Sequence, residues 1–144
     1  MKKLFYFMAA GLLLVACGGG DEKKAETSGP KIEAQTVEDY LTIPEQDLKF
    51  VKEYNSDRER TEVSATVQIT CNKTPEEGVW FNANAVDADG FTLKSTVCIG
   101  KGGCKAGDKL KETVKFIFRH DNQSDEADRF INDVKGITFT VARK

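Results

Sequence analysis

The chain is short of histidine, tryptophan, methionine and proline, and it has no surplus of positive charge. One histidine, His120, leaves little raw material for a metal site or a general base. With 21 Lys and Arg against 23 Asp and Glu, nothing suggests the basic stripe that nucleic acid requires. The same balance argues against holding anionic lipid by charge. No Gly-x-Ser-x-Gly is present and no nucleophile is paired with a base, so an enzyme is not expected. Long apolar runs are missing too, apart from residues 4–16. That run is shorter than the roughly 20 residues a spanning helix needs.

What is present starts with that run. Met1-Lys2-Lys3 is basic, 13 mostly apolar residues follow, and the segment ends Leu14-Val15-Ala16-Cys17. A basic start, a short apolar stretch and small residues before a cleavage point describe a secretory signal. The ending resembles the lipobox of bacterial lipoproteins. That resemblance implies a diacylglyceryl group on the Cys17 thiol, cleavage after Ala16 and acylation, as by palmitate, of the new amino terminus. Each buried methylene contributes about 0.8 kcal/mol, so several chains on one residue exceed what stable anchoring needs. Gly18 replaces the aspartate that retains many such proteins at the inner membrane, which implies the outer membrane. Asp21-Glu22 resembles surface-export signals, leaving periplasmic and surface-exposed locations both open. Losing Lys2 and Lys3 leaves 19 basic and 23 acidic residues, a net of −4.

Residues 1–16 are therefore read as signal, 17–35 as lipidated cysteine and flexible tether, and 36–144 as the folded domain. The tether assignment rests on a polar, Gly- and charge-rich composition. Thr36 and Asp39 suggest a capped short helix with Val37, Tyr40 and Leu41 inward, stopped by Pro44. Strand patterns follow. Val63, Ala65, Val67, Ile69 and Cys71 alternate with polar residues, as do Phe81, Ala83 and Ala85 with Trp80, Asn82 and Asn84. Asp87-Ala88-Asp89-Gly90 signals a hairpin. The next strand is expected to turn Phe91, Leu93, Val97 and Ile99 to one side and Cys98 to the other. Further strands read at 48–54, 114–118 and 137–141. A helix capped by Ser124 runs to Val134, with Gly136 after it as a C-terminal stop.

Six half-buried strands and one short helix before the last predict an all-β, antiparallel sandwich. The pattern resembles the immunoglobulin-like domains of small bacterial lipoproteins of unassigned function, through Asp87-Ala88-Asp89-Gly90 and the Gly107-Asp108 turn. The resemblance implies that fold and no chemistry.

With Cys17 lipidated, Cys71, Cys98 and Cys104 remain. The strand phases put Cys71 inward and Cys98 outward, so Cys98–Cys104 is the predicted disulfide and Cys71 a buried free thiol. A redox role would be sharper, but the Cys-x-x-Cys spacing is missing. No cofactor is implied, and no metal site is expected. Asp87, Asp89 and Asp121 offer only a fragment of a calcium loop, and His120 and Glu76-Glu77 read as solvated loop residues. Trp80, Asn82 and Asn84 are the candidate ligand-binding residues, an aromatic for stacking on a sugar ring with amides for its hydroxyls. The alternative is that Trp80 packs beneath the helix or a loop. The leading expectation is a lipid-anchored, non-enzymatic protein of the cell envelope that binds or positions an envelope partner. A glycan-binding lipoprotein using Trp80 is the alternative.

Overall fold

The structure, a computed structural model, describes residues 27–99, 103–119 and 123–144. The signal, Cys17, the first part of the expected tether, His120 and Asp121 lie outside the described residues. Among these residues nine strands and one α-helix follow in order: β1 (Thr27–Ile32), β2 (Gln35–Val37), β3 (Leu41–Ile43), β4 (Gln46–Asn55), β5 (Arg60–Cys71), β6 (Val79–Val86), β7 (Thr92–Ile99), β8 (Lys109–Phe118), α1 (Gln123–Asp133) and β9 (Gly136–Arg143). They form an antiparallel β-sandwich with one short helix before the last strand.

β5, the longest strand, organises the larger sheet. β8 pairs with it from Thr61↔Phe118 to Thr70↔Lys109 along one edge. On the other edge β4 pairs up to Val51↔Ser64, and β3 takes over at Thr42↔Thr70 and Leu41↔Cys71. β1 adds outside β4 and β2 outside β3. The smaller sheet runs β7-β6-β9. Odd residues of β5 and β6 and even residues of β8 meet between the sheets, where Val63, Val67, Phe81 and Phe116 are fully buried. α1 closes one end. Its Phe130 ring lies 4.9–6.0 Å from those of Phe50, Phe116 and Phe118.

Side-chain amides complete the pairing where backbones part. Gln46 donates to the Gln68 carbonyl and accepts from its N–H, at 3.1 and 2.8 Å. Gln35 does the same for the sandwich seam, donating to the Ile137 carbonyl and accepting from Phe139 N–H. A primary amide offers one donor and one acceptor side by side, as a strand edge does.

Three expectations are corrected here. Residues 27–35 are part of the fold, because β1 pairs with β4 and Ile32 is fully buried. The helix expected from Thr36 is a hairpin, β2 and β3 joined through Glu38 and Asp39 at φ 41° and 64°, closed by Tyr40 N–H on the Val37 carbonyl. Val37, Tyr40 and Leu41 do point inward, as expected of them. Finally, Ser124 lies inside α1 rather than at its cap, and Gly136 opens β9 rather than ending the helix.

Candidate functional site

The outer face of the smaller sheet carries the surface least explained by folding. In β6, Phe81, Ala83 and Ala85 are buried, so Trp80, Asn82 and Asn84 share the opposite face, as expected. Two register shifts change β7. The pairing runs Phe81↔Ile99, then Asn82↔Val97, skipping Cys98, and later passes from Lys94 to Thr92, skipping Leu93. Each bulge moves the residues beyond it to the other face. Ile99 is therefore buried, while Val97 is 60 % exposed and Leu93 41 %. Phe91, 72 % exposed, precedes β7 in the hairpin turn and does not share their phase. The single inward face expected for Phe91, Leu93, Val97 and Ile99 is corrected accordingly.

Asn84 stands between its neighbours. It accepts from Ser95 Oγ at 2.6 Å and donates to Thr140 Oγ1 at 3.0 Å, tying β7 and β9 to β6. Its amide is thus engaged in cross-strand bonding. Trp80 is half-buried on the outer face, opposite Ala142. The two tyrosines that could have joined it do not. Tyr40 is buried edge-on to Phe81, and Tyr54 belongs to β4.

The disulfide is Cys71–Cys104, with Cα atoms 6.0 Å apart, and among the described residues Cys98 is the free thiol. The predicted Cys98–Cys104 pair is overturned by the loop before β8. Gly107 N–H donates to the Cys71 carbonyl and Cys71 N–H to the Asp108 carbonyl, at 2.7 and 2.8 Å, folding residues 104–108 onto the end of β5. Cys98 sits at a bulge and packs partly against the core. Burial, with the charge of Glu112 adding, pushes its thiol up to about 12, which disfavours the reactive thiolate.

The remaining candidates are engaged in structure. Asp87 Oδ1 accepts from the Asp89 and Phe91 N–H groups, which is the hairpin turn rather than a cation loop. Glu76 is bonded by Lys73 and by the Tyr40 hydroxyl, and these hold its carboxyl down at about 2. Lys73 also lies 4.8 Å from the Tyr40 ring centre. A groove of about 360 Å³ between β1 and the start of β9 is lined by Lys31, Asp87, Lys135 and Thr138. Its cations are already taken, Lys31 by Glu45 and Lys135 by the Asn132 carbonyl. Among the described residues no three His, Cys, Asp or Glu side chains gather as a metal would require.

Phe91, Leu93 and Val97 were missed as a surface because the sequence reading placed them in the core. The bulge at Cys98, which carries no residue signature here, reverses Leu93 and Val97, while Phe91 is exposed in the hairpin turn. No protein-family model matches the chain, and no curated protein or solved structure does either.

Proposed function

We propose that this chain is a lipid-anchored, non-enzymatic protein of the cell envelope, held at the outer membrane through Cys17, whose sandwich binds a second envelope protein on its smaller sheet. The observation that carries the docking half is the exposure of Leu93 and Val97 on β7, with exposed Phe91 in the turn before it. Single exposed apolar residues are ordinary, but two on β7 beside a third in the adjoining turn mark a surface that a partner covers. β7 has a hydrogen-bonded neighbour in its sheet on one side only, so the face lies at the rim of the sandwich. The anchoring half is supported by the residues from Met1 to Cys17.

A photoreactive side chain in place of Val97, activated in intact cells, is expected to yield a defined protein adduct that the same group at Lys144 does not. Equal adducts from both positions would remove the docking surface. Cys17→Ala is expected to release the protein from the membrane fraction, and retention there would remove the anchor. The glycan alternative has weaker support, since Asn84 is already bonded across three strands and neither Tyr40 nor Tyr54 joins Trp80. A glycan array in which wild type binds and Trp80→Ala does not would favour it.

A further inference from the structure

The chain holds more acid than base, yet its charges are not evenly spread. On the outer face of the larger sheet β8 presents Lys109, Lys111 and Lys115, all exposed, with Thr113 between them. The β5 residues opposite are Thr70, Gln68, Ser64 and Thr66, uncharged groups that donate hydrogen bonds. A strand rises about 3.3 Å per residue, so the three lysines form a row about 20 Å long. Lys115 also reaches Glu62 at 3.3 Å, and Glu62 is already bonded to Arg60. Lys109 and Lys111 have no ion-pair partner among the described residues. This half of the face is a cationic row beside a neutral donor row.

The position of the chain's start adds a second constraint. β1 begins at Thr27, so ten residue steps separate it from Cys17. Fully extended, they reach about 35 Å at most. β1 is itself a strand of this sheet, three strands from β8 and thus about 14 Å away. The membrane-attached end of the chain enters the domain through the sheet that carries the lysine row.

We propose that the outer face of the larger sheet is a seat for the anionic lipid headgroups of the membrane that holds Cys17. The proposal rests on the lipid-anchor reading above. Headgroup phosphates meet Lys109, Lys111 and Lys115, and the Thr and Gln side chains of β5 donate to the same oxygens. The smaller sheet lies across the core, about 10 Å behind, and its outer face points the opposite way. Seating the lysine row on the bilayer therefore turns Leu93 and Val97 outward, where a partner can reach them. The net charge of the whole chain, which argues against such binding, conceals this division between faces.

The test uses the intact acylated protein, reconstituted on vesicles of phosphatidylcholine alone or mixed with phosphatidylglycerol. Acetylation of each lysine is followed by mass spectrometry. Lys109 and Lys111 are expected to react at least about fivefold more slowly on the anionic vesicles, the equivalent of ~1 kcal/mol per lysine near such a surface. High salt should remove the protection by screening, and Lys144 should react alike throughout. In Lys109→Glu/Lys111→Glu, which alters only exposed side chains, Lys115 should lose its protection while the unfolding midpoint stays unchanged. Equal reactivity on both vesicle types, or protection that survives high salt, would overturn the proposal. Failure of the anchor is distinguishable. In that case the protein would not float with phosphatidylcholine vesicles at high salt, whereas lysine protection on anionic vesicles at low salt would still be scored on its own.

Discussion

Cys104 goes to Cys71 because a turn, not a strand phase, decides where its sulfur points. The loop of 104–108 is bonded onto the end of β5 from both sides of Cys71. The bridge closes a loop with a sequence separation of 33, worth about 3–4 kcal/mol in the chain-entropy picture. Cys71→Ala/Cys104→Ala is thus expected to lower stability by roughly that amount in urea unfolding. Cys98→Ala, a half-buried site, should cost under about 1.5 kcal/mol. Titration of thiols without reductant should find Cys98 slow to alkylate until the protein is unfolded. Glu62 carries the pH prediction. Its carboxylate lies with Arg60 at 11 % side-chain exposure each, and Arg60 with help from Lys115 lowers its pKa. A carboxyl whose folded pKa lies below its unfolded value stabilises above the unfolded value, near 4.3, and loses that contribution as pH falls through the folded one. Wild type should therefore lose stability between about pH 5 and 3 more steeply than Glu62→Gln. At neutral pH Glu62→Gln should be weaker by roughly 1–3 kcal/mol, because it leaves Arg60 without its charge partner. Identical acid slopes for the two proteins would show that this pair contributes nothing.

At the scale of elements, alternation made β5, β6, β8 and β9 legible, and the i, i+3, i+4 spacing did the same for α1. Each buries one face against a single core, so its period survives in the residues. β2 and β3 were hidden because their turn is made by Glu38 and Asp39, residues that announce a helix start more readily than a left-handed turn. The phase of β7 was hidden for a different reason. Its bulges at Cys98 and Leu93 flip the alternation, and local composition does not record them. The candidate surface was accordingly half legible. Trp80, Asn82 and Asn84 were found on one face, while Phe91, Leu93 and Val97 were assigned to the core. The turn yields a prediction of its own. Asp39 holds φ 64°, a conformation that glycine adopts without a Cβ penalty. Asp39→Gly should then raise the urea midpoint by the equivalent of about 0.5–1 kcal/mol. A lower midpoint would mean that the Asp39 side chain contributes more than its strain costs.

At the scale of the whole molecule, the open point in the sequence was where the domain begins. Residues 27–35 are polar, contain Pro30 and offer a single large apolar side chain, Ile32, so composition describes them as tether. The fold uses them otherwise. β1 extends the larger sheet beyond β4, Ile32 is fully buried, and the Gln35 amide bridges to β9 in the smaller sheet. These nine residues therefore join both sheets, and removing them tests whether they belong to the domain. Emptying the Ile32 site alone is worth roughly 2–5 kcal/mol. Loss of Gln35 leaves the Ile137 carbonyl and Phe139 N–H without their partner, at about 1–3 kcal/mol more. A domain of this size has only about 5–15 kcal/mol in total. A chain beginning at Thr36 is thus expected to be unfolded, or to melt far below one beginning at Thr27, when the two are compared by circular dichroism. Equal melting of the two would return residues 27–35 to the tether. It would also lengthen the span between Cys17 and the first structured residue, and so weaken the argument that the larger sheet is held close to the membrane.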